Sequence, residues 1–192
     1  MIQILKKLLK KLSLELILKL KIKYNMNKIL IITLTTFLIS CNQGVVIDKG
    51  DWSGTINENS EESKIVRKLS KAYVDGNFEI AAEYMADDAV NTVNGIEYTK
   101  DEWIAGYKRD QEVFDDIQQN NLNITTMYYN NGRIFTNHWL TWYGKSKITG
   151  ESKNVDYYGY WEWKDGKIIA TGGILDPTWY GGEIVRYLES QE

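Results

Sequence analysis

In the middle of the chain, apolar side chains recur every three or four positions, which is the period of a helix with one buried face. The pattern predicts three helices, which follow one another over residues 60–75, 78–85 and 99–117. In the third helix, Thr99 is followed three residues later by Glu102, which is the spacing of a capping box at a helix N-terminus.

Beyond Asn120 the apolar period changes to two, which is the period of a strand with one buried face. Alternation over 122–128 and 133–143 is separated by an Asn-Gly turn, and alternation over 155–163 and 167–174 by an Asp-Gly turn. Three helices followed by at least four antiparallel strands predict an α+β fold. In such a fold the three N-terminal helices pack on a curved, mainly antiparallel sheet.

The N-terminal part of the chain has the plan of an export signal. Met26-Asn27-Lys28 is followed by an apolar run over 29–39 and then by Ser40-Cys41. As a helix the run rises only about 16 Å, roughly half the bilayer core, which argues against a permanent span. The residues before Cys41 resemble the lipobox of bacterial lipoproteins, which implies cleavage before Cys41 and acylation, including palmitate, of that residue.

These features divide the chain. Residues 26–40 are expected to be a lipoprotein signal peptide, 41–60 a flexible tether, 61–180 the folded domain and 181–192 a C-terminal tail. Residues 1–25 are expected to be upstream sequence included through a mis-annotated start. The alternative for this stretch is a basic amphipathic helix that binds a membrane surface.

Charge and scarce residue types exclude several functions. Residues 1–40 hold eight lysines against one acid, so the rest of this 192-residue chain, whose net charge is -3, is clearly acidic. This balance argues against a nucleic-acid partner. The single cysteine excludes an intramolecular disulfide and a thiolate zinc cluster, and the single histidine excludes sites that need two imidazoles. We expect no metal and no other cofactor.

Several motifs resemble the SnoaL-like branch of the nuclear-transport-factor-2-like superfamily. The matching segments are 76–79, 81–90, the capped helix around Trp103, and 161–168. The resemblance implies a cone-shaped fold with a pocket at its open end, and a homodimer formed through the outer face of the sheet. The superfamily includes isomerases, cyclases, dehydratases and non-catalytic binding domains, so the resemblance alone does not assign an activity.

Ketosteroid isomerases of this superfamily use a carboxylate base, a tyrosine and a protonated aspartate. An ungapped count from the shared motifs places Val93, Leu69 and Gly159 at these positions, with Tyr73 and Asp156 nearby. Because the counted residues cannot perform those roles, ketosteroid isomerase activity is not expected.

His138 and Asp156 are the candidate catalytic residues. His138 has an ordinary pKa suited to proton transfer near neutral pH, although a lone histidine among aromatic residues is more often structural. Asp156 lies on the strand face that alternates with Val155 and is more often solvated, unless the register brings it beside His138. The expected ligand-pocket residues are aromatic: Trp103, Tyr107, Trp139, Tyr143, Tyr157 and Trp161.

Together these patterns predict a lipid-anchored protein of the bacterial cell envelope, periplasmic or surface-exposed. Its domain is expected to bind a small, partly apolar molecule without catalysis. The alternative is an isomerase, cyclase or hydratase that uses His138 with a nearby carboxylate or tyrosine. A third hypothesis is a structural lipoprotein that binds a partner protein.

Overall fold

The computed structural model of the chain describes residues 13–21, 23 and 49–192. The chain divides into two units, Met1–Ile47 and Asp48–Glu192. In the first unit, residues 13–21 and 23 are helical and their side chains are exposed. The expected signal peptide and Cys41 lie outside the described residues. Among the residues described, no helix has both the length and the apolar character that a membrane crossing requires.

The second unit combines one sheet with helices. Its strands are β1 (Gly54–Asn57), β2 (Met85–Val93), β3 (Ile96–Tyr98), β4 (Phe114–Tyr129), β5 (Ile134–Ser146), β6 (Ser152–Lys164) and β7 (Lys167–Leu175). Its α-helices are α1 (Glu61–Val74), α2 (Lys100–Val113) and α3 (Pro177–Glu189), and a 3₁₀ helix spans Phe78–Glu83. The α+β prediction is confirmed.

The sheet has the strand order β1-β4-β5-β6-β7-β2-β3, and it is curved and unclosed. All neighbouring strands are antiparallel except β2 and β7, which are parallel. In β5 the buried side chains of Thr136, His138, Leu140 and Trp142 lie on one face, and the residues that alternate with them are more exposed, apart from Asn137. We call the face that carries them the inner face, and its reverse the outer face.

The helices bury their apolar stripes against the inner face. In α1, Ser60 caps the helix by accepting a hydrogen bond from the Ser63 amide, and Val66 and Leu69 are fully buried. In α2 the predicted capping box between Thr99 and Glu102 is present. These side chains belong to one apolar core that also includes residues from the 3₁₀ helix and from β2, β4, β5, β6 and β7.

Two predicted helices are shorter than the sequence indicated. The segment 78–85 forms the 3₁₀ helix and then enters β2, which the sequence analysis did not predict. The third helix ends at Val113 rather than Ile117, because the next residues pair with β5. Asp116 has a φ of 53° within a register shift of β4, and this bulge buries both Phe114 and Ile117 at a helix-like spacing.

The folded unit extends beyond both boundaries that the sequence analysis set. On the N-terminal side, β1 pairs with β4 within the expected tether, and Trp52 makes an edge-to-face contact with Tyr129 at 5.2 Å between ring centroids. On the C-terminal side, α3 continues past residue 180 through most of the expected tail. Glu183 of α3 is fully buried and accepts hydrogen bonds from the side chains of Ser146 and Thr149.

A chain of buried hydroxyl groups fastens the start of α1 to the sheet. The Thr126 hydroxyl of β4 accepts a hydrogen bond from Ser60 at 2.9 Å and is 2.8 Å from both the Ser63 and the Thr136 hydroxyls. Trp163 of β6 donates its indole N–H to Thr136 at 2.9 Å. Each of these buried polar groups therefore depends on its neighbours for a hydrogen-bond partner.

Replacing Thr126 with valine should lower the free energy of unfolding by about 1–3 kcal/mol, because the change keeps the shape but removes a buried partner from its neighbours' hydroxyls. Urea denaturation of the full chain measures this effect. Thr125→Val, on the opposite face of β4, is the matched control and should change stability by less than about 0.5 kcal/mol. Equal effects of the two substitutions would contradict the role given to the hydroxyl chain.

Candidate functional site

A cavity of about 460 Å³ lies between the helices and the inner face of the sheet. Four of the predicted pocket residues line it, namely Trp103 and Tyr107 from α2, and Tyr157 and Trp161 from β6. Further aromatic side chains line it from α1, the 3₁₀ helix, β5 and α3. Such a lining, largely apolar with a few polar atoms, is typical of sites for small molecules.

Glycines on neighbouring strands make room for the ring of Tyr157. A Cβ atom at Gly159 would lie 2.6 Å from the Tyr157 hydroxyl oxygen, and one at Gly173 would lie 2.7 Å from it. The ring therefore lies flat along the sheet, which only residues without a side chain permit at these two positions. Its hydroxyl is 3.4 Å from that of Tyr107, so the two rings meet inside the cavity.

His138 lines the cavity, and its surroundings fix the protonation and the tautomer of its imidazole ring. The residue is 5% exposed, and its Nδ1 accepts a hydrogen bond from the indole N–H of Trp161 at 3.3 Å. Burial lowers the pKa of His138 to about 4, so the ring is neutral at physiological pH. Because Nδ1 accepts, Nε2 carries the proton, and Nε2 has no hydrogen-bond partner within residues 49–192.

Asp110 of α2 also lines the cavity, and its carboxyl is held by two tyrosines. Tyr73 of α1 donates to Oδ2 at 2.9 Å, and Tyr180 of α3 donates to Oδ1 at 2.5 Å. Trp142 of β5 donates its indole N–H to the Tyr73 hydroxyl at 2.7 Å. Burial raises the pKa of Asp110 from 3.8 to about 7, although the hydrogen bonds from Tyr180 and Tyr73 oppose the rise.

Asp110 and Tyr180 are not among the site residues predicted from the sequence. Asp110 lies in a charged stretch of the chain, which is usually solvated, and Tyr180 is the last residue of the expected domain. One signal was available for Asp110. It follows Trp103 by seven residues and Tyr107 by three, which is the spacing of a single helix face.

Three predicted site residues lie outside the cavity. Trp139, Tyr143 and Asp156 project from the outer face of the sheet, because each alternates with a residue that faces inward. Asp156 lies opposite Thr141 and accepts a hydrogen bond from its hydroxyl at 3.0 Å, whereas His138 lies opposite Gly159. The register therefore does not bring Asp156 and His138 together as a catalytic pair.

The structure also locates the three residues that the motif count assigned to ketosteroid isomerase roles. Val93 lines the cavity, Leu69 is buried in the core, and Gly159 lies on the β6 strand. Tyr73, which the count brought close to one role, points its hydroxyl at Asp110 instead of an open position. In the described ranges of the chain, no group of three or more His, Cys, Asp or Glu side chains is arranged to hold a metal ion.

The fold is shared with several solved structures. IdmH, a proposed polyketide cyclase from Streptomyces antibioticus, matches with a TM-score of 0.51 and 18% identity over 65% of this chain and 99% of that chain. AclR, a proposed hydroxylase from Streptomyces galilaeus, matches with a TM-score of 0.51 and 13% identity over 67% of this chain and 96% of that chain.

A proposed isomerase from Bacillus subtilis matches with a TM-score of 0.50 and 16% identity over 64% of this chain and 91% of that chain. No protein-family model and no curated protein matches the sequence. Likeness at these identities concerns the fold alone. The predicted SnoaL-like, nuclear-transport-factor-2-like fold is confirmed.

Asp110 should make stability depend on pH. In the unfolded chain an aspartate has a pKa near 3.9, whereas in the folded chain its pKa is about 7. Between these values the folded chain holds the extra proton, so the contribution of Asp110 to stability falls as the pH rises from about 4 to about 7. Asp110→Asn cannot ionise and removes this dependence.

We therefore expect the stability of Asp110→Asn relative to the native chain to rise by roughly 2–4 kcal/mol between pH 4.5 and pH 7.5. Urea denaturation of the full chain at both pH values measures the change. Asp156→Asn, on the outer face, is the control and should keep the native pH dependence. If the stabilities of the native chain and of Asp110→Asn changed equally between the two pH values, the pKa of the Asp110 carboxyl would not be raised in the folded chain.

Proposed function

We propose that the domain binds a small, flat, largely apolar molecule that carries one hydrogen-bond acceptor. The observation that carries this proposal is the unpartnered Nε2–H of His138 in an aromatic cavity. A buried donor without a partner costs roughly 1–3 kcal/mol, and a ligand oxygen placed against it would recover part of that cost. The aromatic rings supply the apolar contact area.

The state of His138 favours binding over acid–base catalysis by this residue. A general base near neutral pH needs a free lone pair and a pKa close to 7. In His138 the lone pair of Nδ1 is used by Trp161, the other nitrogen is protonated, and the pKa is about 4. The imidazole is therefore suited to donating a hydrogen bond to a carbonyl, ether or hydroxyl oxygen.

A second candidate is an enzyme of the isomerase, cyclase or hydratase class. The observation that favours it is Asp110, a cavity carboxyl whose pKa of about 7 suits proton transfer. The activities proposed for IdmH and the Bacillus subtilis structure belong to this class. Deuterium exchange into the methyl group of 2-acetylnaphthalene, fast with the native chain and slow with Asp110→Asn, would favour the enzyme.

The binding proposal is tested with 2-acetylnaphthalene and 2-ethylnaphthalene, which differ by one acceptor oxygen. The native full chain should bind the ketone about fivefold more tightly, because one hydrogen bond contributes about 1 kcal/mol. His138→Phe should lose this preference, and Trp139→Phe, on the outer face, should keep it. Calorimetric titration measures both affinities.

Binding of neither compound would contradict the small-molecule proposal and favour the structural lipoprotein. Equal binding of the two compounds by the native chain would instead contradict the role given to the His138 N–H. Detection of an intact ketone after the titration, by mass spectrometry, separates binding from turnover.

We also propose that the chain is anchored to a bacterial envelope membrane through acylated Cys41. The apolar run over 29–39, followed by Ser40-Cys41, supports this proposal. Two or more acyl chains on one residue give stable membrane binding, whereas a single chain does not. An anchored domain would take its ligand from the periplasm or from the cell surface.

Cys41→Ser should move the protein from the membrane to the soluble fraction of a bacterial host and abolish incorporation of labelled palmitate. Ser40→Ala keeps a small residue before Cys41 and should remain in the membrane. An unchanged membrane fraction for Cys41→Ser would contradict the lipid anchor.

The outer face supports a homodimer. Trp139, Tyr158 and Ile174 are neighbours across β5, β6 and β7, and their exposed fractions are 42%, 45% and 66%. A row of exposed apolar side chains on one face is typical of a contact surface. Sedimentation of the detergent-solubilised full chain as a monomer would contradict this proposal.

A further inference from the structure

The carboxyl of Asp110 is buried without a cation. The residue is 1% exposed, and none of the ion pairs found in residues 49–192 includes it. The neighbouring Arg109 lowers the pKa of Asp110, but less than the hydrogen bonds from the two tyrosines do, and it makes no ion pair with Asp110 among the described residues. Buried carboxylates are normally paired or bound to a metal, because leaving water costs them several kcal/mol.

The hydrogen bonds to Asp110 leave part of its acceptor capacity unused. An ionised carboxylate has about four lone-pair positions. Tyr73 and Tyr180 occupy one on each oxygen, and among the described residues no other hydrogen bond to this side chain is found. A further donor that enters the cavity can therefore bind to either oxygen without displacing a tyrosine.

The carboxyl is also fixed in position. Trp142 orients the Tyr73 hydroxyl from the sheet, and Tyr180 approaches from α3, so the carboxyl is held from two sides. The tyrosines themselves stay neutral, because burial raises the pKa of Tyr73 and of Tyr180 well above its ordinary value. The fold thus holds a carboxyl group rigidly, and the hydrogen-bond donors that the described residues offer to it are neutral.

Aromatic rings line the same cavity as this carboxyl. The ring of Tyr107 lies 5.4 Å from that of Tyr73, 4.8 Å from that of Phe78 and 4.7 Å from that of Trp103, measured between centroids. All four rings line the cavity beside Asp110. Aromatic faces attract organic cations, and the attraction is strongest where water is excluded.

We propose that the cavity selects a small molecule that joins a flat apolar group to a protonated amine, with Asp110 as the anionic partner of the ammonium group. This inference rests on the proposed function, since it requires that the cavity bind a ligand. Arg109 also lines the cavity, but it is only half-buried and stays partly hydrated, whereas Asp110 is enclosed. The enclosed charge therefore favours a cation over an anion.

Binding of an ammonium group favours the ionised carboxylate. Asp110 faces Tyr73 from α1, Tyr180 from α3 and, on its own helix, Tyr107 and Arg109. The tyrosines are neutral throughout the range from pH 6 to pH 8, because burial raises the pKa of each above its ordinary value. Over this range only the carboxyl changes its charge, so the amine should bind more weakly at pH 6 than at pH 8.

The test compares 2-naphthylmethylamine with the neutral 2-naphthylmethanol and the anionic 2-naphthylacetate, by calorimetric titration of the native full chain at pH 8. The amine should bind at least tenfold more tightly than the alcohol, and the acetate most weakly. Asp110→Asn should remove the preference for the amine while the alcohol affinity changes by less than about threefold. Asp156→Asn, on the outer face, should keep the native preference.

The outcomes distinguish the inference from the proposed function. Binding of none of the three compounds would contradict both. Alcohol or acetate binding as tightly as the amine would overturn the inference and leave the binding cavity in place. If near-ultraviolet circular dichroism shows that Asp110→Asn does not fold, the amine affinity of the native chain is measured at pH 6 and pH 8 instead. An affinity that is unchanged between these pH values overturns the inference.

Discussion

Hydrogen bonds that run from Trp142 through Tyr73 to Asp110 and Tyr180 join the sheet to all three α-helices of the second unit. The same elements enclose the cavity, so the shape of the cavity depends on these hydrogen bonds. The hydrogen bonds converge on the Asp110 carboxyl, which makes no ion pair with any cation of residues 49–192, so its ionisation carries an electrostatic cost. A cost of this kind, in a cavity lined by aromatic rings, is typical of sites whose final partner is a ligand.

Alternation along the strands allowed much of the site to be predicted from the sequence. The period of two places His138, Tyr157 and Trp161 on the inner face, where the structure has them. The same period places Trp139 and Tyr143 on the outer face, so the prediction that they line the pocket is wrong, and aromatic character alone does not identify pocket residues. Register across strands depends on bulges and turn geometry, so the separation of Asp156 from His138 could not be read from the sequence.

Other parts of the fold were hidden for identifiable physical reasons. The bulge at Asp116 gives a strand the apolar spacing of a helix, and therefore extended α2 in the sequence analysis. The helix α3 carries two glycines and few charges, which made it resemble a tail, although Glu183 anchors it in the interior. The role of Asp110 could not be predicted from its charged surroundings in the sequence, because burial of a carboxyl depends on the tertiary packing around it.

The cavity presents a fixed, neutral imidazole, that of His138, whose Nε2–H is placed to donate a hydrogen bond to a ligand oxygen. Nitrogen-15 NMR of the full chain tests it directly, because His138 is the only histidine and gives an unambiguous signal. We expect a protonated Nε2 and an unprotonated Nδ1 from pH 8 down to pH 5, with a pKa of about 4. A proton on Nδ1, or titration near the ordinary value of 6.5, would contradict it.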